Sequence, residues 1–138
     1  MNDLLMNYDA LNSGELSGKT QADYLVSLEA TLSVWDGETM VYEEPNFPVV
    51  ELAWSLRRWL ETNGRDDFVF ESMSFEEAGS VSIRRGAFGW VVSSVFALAS
   101  ASSPYGWAVV HRSVVSFIDR VEDDLIAIGV DPVEILGP

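Results

Sequence analysis

The sequence predicts a single α+β domain over residues 1–138. We expect a two-layer sandwich in which two helices cover one face of a mostly antiparallel sheet of about six strands. The length suits one domain, and a hydrophobic content of 48% can supply its core. Several segments alternate apolar and polar residues, as half-buried strands do, and two others carry apolar stripes at helical spacing. The segments follow in the order βββα–βββα.

The chain begins with a short predicted strand over Asp3–Asp9 and a loop over Asn12–Thr20. The clearest strand is predicted from Leu25 to Trp35, because every second residue there is apolar. The residues on its apolar face are Val26, Leu28, Ala30, Leu32 and Val34.

A hairpin is predicted next. Asp36-Gly37 suits the positive φ angles of a type I′ turn, and a return strand is expected over Glu38–Glu44. The inward residues of this strand are expected to be Met40 and Tyr42. Because proline cannot donate a ladder hydrogen bond, Pro45 and Pro48 are expected to end the sheet.

The second half of the chain contains three further predicted strands, over Phe68–Ser72, Ser80–Arg85 and Trp90–Leu98. A turn over Gly86–Gly89 joins the last two, and Ala99–Gly106 is expected to be a loop. The inward residues of the first two strands are expected to be Phe68, Phe70, Val81 and Ile83.

Two helices are predicted, over Val49–Thr62 with a stop at Asn63-Gly64, and over Trp107–Ile128 with a stop at Gly129. Val133–Leu136 is expected to fold back onto the core. The stripe of the first helix is Val49, Leu52, Ala53, Leu56, Trp59 and Leu60. The stripe of the second is Val110, Val114, Phe117, Val121, Leu125 and Ile128.

The charge excludes several classes of partner. The chain has 22 acidic and 8 basic residues, which gives a net charge of −14. Because affinity for nucleic acids and anionic membranes comes from Lys and Arg, we expect neither partner. Neither a membrane-spanning stretch nor a signal peptide is visible, so a cytoplasmic location is expected. The acidity is explained either by an acidic host proteome or by attraction of a basic partner.

The sequence contains no catalytic or cofactor-binding pattern. It has no cysteine, no glycine-rich nucleotide loop and no nucleophile elbow. Its one histidine, His111, lies at the border of a helix stripe and is interpreted as a boundary residue. Adjacent acids such as Glu43-Glu44 would point to opposite faces of a strand. The sequence therefore predicts no catalytic residue, no metal site and no cofactor.

The remaining candidates are residues for binding a partner. If both helices cover one face of the sheet, the other face stays open. That strand face is expected to mix acids with apolar residues, namely Glu29, Trp35, Val41, Glu43, Val69 and Glu71. Trp54 lies opposite the stripe of its helix, and an uncovered tryptophan is typical of binding hot spots. The candidate partner-binding residues are Glu29, Trp35, Glu43, Trp54 and Glu71.

Three groups of residues carry a resemblance to a known family. They are Phe47–Ala53 with Trp59-Leu60, Ser72–Glu77, and Gly89-Trp90 with Ser94. Together they resemble an uncharacterised family of small bacterial proteins, over about residues 20 to 130. The resemblance implies a bacterial origin and no particular activity. In size and charge, the chain is also similar to immunity proteins that neutralise basic toxins.

The leading hypothesis is a non-catalytic cytoplasmic binding protein of the immunity or inhibitor type, with a basic protein as partner. One alternative is a structural domain that forms a homodimer through the open sheet face. Another is a small carboxylate-based hydrolase or ligand-binding domain that uses Arg84 or Arg85.

Overall fold

The computed structural model describes residues 3–14, 16, 18–62 and 66–138, and it confirms the α+β class. Within these residues it has six strands and four helices. The strands are β1 Leu4–Asn12, β2 Glu29–Asp36, β3 Thr39–Phe47, β4 Phe68–Val69, β5 Ser82–Gly86 and β6 Gly89–Ser93. The helices are α1 Gln21–Ser27, α2 Val49–Glu61, α3 Trp107–Ala127 and α4 Pro132–Leu136.

The strands form two antiparallel sheets of three strands each, instead of the one sheet of about six that was expected. The first sheet has the order β1-β2-β3 and the second the order β4-β5-β6. The two long helices pack on each other, and α2 contacts β2 while α3 contacts β1. The inward residues of β1 and β2 alternate along each strand and are buried: Leu4, Met6, Tyr8, Ala30, Leu32 and Val34.

The predicted strand from Leu25 is wrong over its first residues, because the chain is helical up to Ser27. A capping box starts this helix. The Thr20 hydroxyl accepts the Asp23 N–H at 3.2 Å, and the Asp23 carboxylate accepts the Thr20 N–H at 3.0 Å. These two bonds satisfy N–H groups that a helix start leaves free. The strand itself begins at Glu29, and its apolar alternation from Leu28 onward is confirmed.

The β2–β3 hairpin differs from the prediction at its turn and in its register. Asp36 pairs with Thr39, so the two residues of the turn are Gly37 and Glu38. Of these only Gly37 has a positive φ, 59°, which fits a type II′ turn better than the predicted type I′. Trp35 pairs with Met40 and Val34 pairs with Tyr42, so Val41 is an extra residue in a bulge. As a result Tyr42 is buried as expected, whereas the inward prediction for Met40 is wrong.

The two prolines do not end the sheet where expected, since β3 continues through Pro45 to Phe47. Phe47 pairs with Ala30 and Glu44 pairs with Leu32, which leaves one extra residue on β3 between these pairs. Asn46 lies in this bulge with a φ of 55°. Because β3 is at an edge of the sheet, a missing N–H at Pro45 is tolerated.

The long helices end within a residue of their predicted limits. The residues of their apolar stripes are buried, except for the half-buried Leu60 and the exposed Ile128. The inward prediction for Ile128 is wrong, because this residue lies beyond the last turn of α3. Gly129 follows with a φ of 84°, as predicted. Ile135 and Leu136 are buried, which confirms that the C-terminal segment packs on the core. The predicted stop at Asn63-Gly64 lies outside the described residues.

The strands of the second sheet are shorter than predicted, but their inward residues Phe68, Phe70, Val81 and Ile83 are buried as expected. The turn between β5 and β6 is confirmed. The expected loop over Ala99–Gly106 lies partly along β6, where single bridges join Ala101 to Ser93 and Tyr105 to Trp90.

A buried carboxylate attaches this half of the chain to α2. Glu51 lies in the first turn of α2, where helix N–H groups favour a negative charge. It accepts the Ser72 hydroxyl at 2.5 Å and the Met73 N–H at 2.9 Å. Glu51 is not part of the apolar stripe of this helix, so the spacing of apolar residues does not predict its burial.

Candidate binding face

The side of the first sheet that points away from the core forms one continuous face. Strand pairing places Leu5 beside Trp35 and Trp35 beside Met40, and it places Ser33 between Asn7 and Glu43. We call this the outer face. Its residues are Leu5, Asn7, Asp9, Glu29, Thr31, Ser33, Trp35, Met40 and Glu43.

An apolar row crosses the outer face. Leu5 is 47% exposed and Met40 is 44% exposed, and the half-buried Trp35 lies between them. Along β1, the exposed Leu5 and Asp9 alternate with fully buried residues, so helix packing covers the inner side only. An uncovered aromatic and aliphatic row of this kind is a feature of protein contact surfaces.

Carboxylates share the outer face with the apolar row, Glu43 and Glu38 near it on β3 and the turn, and Glu29 at the far end of β2, about 20 Å from Trp35 at about 3.3 Å per residue. Glu43 is exposed and Glu29 is half-buried, and Glu38 is exposed at the adjoining turn. Within the described residues, none of these three carboxylates lies in an ion pair. Their charge is therefore available to a partner.

The β1 side of the outer face is closer to neutral, because α3 supplies two arginines there. Arg120 donates a hydrogen bond to Asn7 and lies 3.9 Å from the Asp9 carboxylate. Arg112 lies 3.4 Å from Asp3. The unpaired acidity of the outer face is thus concentrated toward β3.

The structure places three of the five predicted partner-binding residues on the outer face, with Trp35 and Glu43 near each other and Glu29 at the far end of β2. Trp54 lies on α2 instead, half-buried against the core. The Arg58 guanidinium lies 5.2 Å from the centre of its ring. Its buried indole N–H has no partner among the described residues.

Glu71 is also separate from the outer face. It follows the second sheet and is exposed beside a cleft of about 190 Å³ that Ser72 and Phe75 also line. Val69, which was expected on the same face, is half-buried in β4. Val41 is buried because of the bulge, which corrects its expected exposure.

The sequence interpretation also missed Leu5 and Met40. Strict alternation along β1 was a usable signal for Leu5, whereas nothing in the sequence indicated the bulge that turns Met40 outward.

A groove adjoins the outer face at the hairpin turn. Residues 36–41 form one wall and residues 99–101 form the other, around about 640 Å³. We call it the hairpin groove. Asp36 stands at its base, where its carboxylate accepts the Tyr105 hydroxyl and, at 2.7 Å, the Ser103 N–H. These bonds tie the hairpin to the segment that lies along β6.

The same bonds shift both partners' acidity. Burial raises the pKa of Asp36, but hydrogen bonds from Tyr105 and Ser103 outweigh it and hold the pKa below its ordinary value. Burial and the bond to Asp36 raise the pKa of Tyr105. Asp36 is thus an ionised, structurally engaged carboxylate.

The single histidine and the grouping of acidic side chains bear on whether the chain has a site for catalysis or metal binding. His111 is exposed on α3, with its ring centre 5.8 Å from that of Trp107. In the part of the chain that the structure describes, no cluster of three or more His, Asp or Glu side chains is arranged to hold a metal ion. None of the described helices combines the length and apolar character needed to cross a membrane.

The fold and this face define a small α+β domain with an open, acidic and partly apolar sheet surface. The chain belongs to the family described as domain of unknown function DUF7878, which it matches over residues 4–127. This match confirms the resemblance to an uncharacterised family. Neither the curated proteins nor the solved structures include a significant match.

Proposed function

We propose that this protein is a non-catalytic binding protein that holds a basic protein partner against its outer face. The observation that carries the proposal is the apolar row of Leu5, Trp35 and Met40, with the unpaired carboxylate of Glu43 close to it and that of Glu29 at the far end of the same face. Aromatic and aliphatic side chains supply contact area, and the surrounding acids select the sign of the partner's charge.

Electrostatic steering supports a basic partner. A net charge of −14 on 138 residues accelerates the approach of a positively charged protein and repels acidic ones. The acids toward β3 lack counterions among the described residues, so the partner's Lys and Arg side chains would supply them. Binding should therefore weaken with added salt, mainly through slower association.

Size and charge favour one kind of binding protein. A small acidic domain that covers a basic surface can act as an immunity or inhibitor protein in a bacterial cytoplasm. The partner would then be a basic toxin, and one face of the first sheet would block it.

The test combines capture with rescue. The protein is used to capture partners from its host, and it is co-expressed with any toxin encoded beside it. Glu43→Lys and Trp35→Ala should each weaken capture by about tenfold or more and abolish growth rescue. Their matched controls, Glu134→Lys and Phe88→Ala, change exposed residues away from the outer face and should leave both unchanged. Equal loss in variants and controls, or no rescue and no retained protein, would refute the proposal.

The same face distinguishes the self-association alternative. If the apolar row pairs with its own copy, light scattering at micromolar concentration should show a dimer that Trp35→Ala dissociates. A monomer favours an external partner, which is also what repulsion between two acidic faces predicts.

A further inference from the structure

We propose that an extended, basic segment of the partner enters the hairpin groove and pairs with the free edge of β3 as an added strand. This inference rests on the proposed function, and it specifies how the partner is held. Main-chain hydrogen bonds to a sheet edge are a general means of peptide recognition.

The edge of β3 is available for pairing. One side of β3 pairs with β2, and β3 is the last strand of the first sheet. Its other side accepts and donates no backbone hydrogen bond within the described residues. An unpaired edge of this kind is a template for another chain. Pro45 and the Asn46 bulge interrupt the far end of β3, and the bulge at Val41 interrupts it nearer the turn. The stretches left for pairing are Thr39–Met40 and Tyr42–Glu44, the second about 10 Å long at about 3.3 Å per residue.

The groove beside this edge has suitable dimensions and lining. Its opposite wall consists of the small residues Ala99, Ser100 and Ala101, so side chains do not obstruct the backbone of β3. Its volume of about 640 Å³ falls within the range of sites that hold small ligands, about 300–1,000 Å³.

Charge identifies the occupant as basic. Asp36 and Glu38 line the groove, and among the residues that the structure describes no Lys or Arg lines it. Glu43 and Glu44 continue the acidic character along β3. Lysine or arginine residues in the added strand would compensate these charges.

The groove is held in shape before binding. The bonds of Asp36 to Tyr105 and Ser103 fix one wall relative to the other. The Gly37 N–H donates to the Asp3 carbonyl at 2.7 Å, which anchors the turn to β1. A preformed site reduces the entropy lost on binding.

The test uses a decapeptide of alternating lysine and threonine, titrated into the isotope-labelled full chain and followed by backbone NMR shifts. We expect saturable shifts at Thr39–Val41 and Ala99–Ala101. N-methylation of alternate peptide groups removes backbone donors and should weaken binding by about tenfold or more. Ala99→Trp fills the groove and should abolish the shifts, whereas Ala87→Trp, in the β5–β6 turn, should preserve them. A matched glutamate–threonine peptide should not bind.

The outcomes separate this inference from the proposed function. Shifts confined to Leu5, Trp35 and the rest of the outer face would overturn strand addition and leave the proposed function standing. If the N-methylated peptide binds as tightly as the unmodified one, strand addition is likewise overturned and the proposed function stands. Absence of any shift up to millimolar peptide would also overturn the inference, while the function would still be decided by Glu43→Lys in the capture assay.

Discussion

Replacing Asp36 by asparagine tests the contact that holds the hairpin groove together. The carboxylate accepts two hydrogen bonds, from the Tyr105 hydroxyl and from the Ser103 N–H. The amide oxygen of Asn can accept one of them, and its NH₂ group faces the other donor. Hydrogen bonds to a charged group contribute about 1.5–3 kcal/mol each. Because Asp36 is half-buried, solvent screening reduces this to about 1 kcal/mol for the bond that is lost, and leaving its donor against the Asn NH₂ group costs about 1 kcal/mol more, so the free energy of unfolding should fall by about 2 kcal/mol.

Urea denaturation measures this loss. With a slope of about 1–3 kcal/mol per molar for a domain of this size, the midpoint of Asp36→Asn should fall by about 1 M. Tyr105→Phe removes one bond and should cost about half as much. Glu38→Gln, which removes the same charge from the neighbouring turn residue, should leave the midpoint unchanged.

The effect of Asp36→Asn should depend on pH. Because the folded pKa of Asp36 lies below its unfolded value of 3.8, its stabilisation is complete above that value and is lost as the pH falls through the folded pKa. The gap between wild type and Asp36→Asn should therefore narrow in acid. Equal midpoints at neutral pH, or a gap that is the same in acid, would refute the role assigned to Asp36.

Three further predictions follow from burial. Glu51→Gln should lower the free energy of unfolding by about 2 kcal/mol, because it disturbs two hydrogen bonds of a buried carboxylate. Glu61→Gln, on the exposed side of the same helix, should leave it unchanged. Equal urea midpoints for the two variants would contradict the role of Glu51. Phe117→Ala should cost about 3–5 kcal/mol, and Phe88→Ala, where 91% of the residue is exposed, almost nothing; equal losses would contradict the assigned core. Burial raises the pKa of Tyr42 from 10.0 to about 12. The free energy of unfolding should therefore stay constant below about pH 10 and fall above it, because Tyr42 ionises in the unfolded chain before it ionises in the folded protein. Tyrosinate absorbance of the native and the unfolded protein measures the two titrations, and identical titrations would contradict the prediction.

Local patterns in the sequence predicted most elements of the fold. Period-two alternation located β2 from Leu28 onward, and helical spacing located α2 and α3 to within a residue. These patterns report which side of an element is buried, because burial is what selects apolar residues there. The capping box at Thr20 and Asp23 was also present in the sequence. It was missed because apolar alternation across Leu25–Ser27 suggested a strand.

The parts that could not be predicted depend on contacts distant in sequence. Whether six strands make one sheet or two is decided by which edges meet, and no residue pattern records that. The bulge at Val41 shifts Met40 outward, and it is visible only once β2 and β3 are paired. For the same reason Glu71 was grouped with Glu43, although the two belong to different parts of the fold.

Oxidation of methionines by peroxide, followed by mass spectrometry, tests the outer face as a contact surface most directly. In the free protein, Met40 and Met73, which are 44% and 65% exposed, should oxidise, and Met6, which is 3% exposed, should resist. When the captured partner is bound, Met40 should become protected while Met73 stays reactive. Oxidation of Met40 at the same rate with and without the partner would contradict the proposal, and rapid oxidation of Met6 in the folded protein would contradict the fold on which it depends.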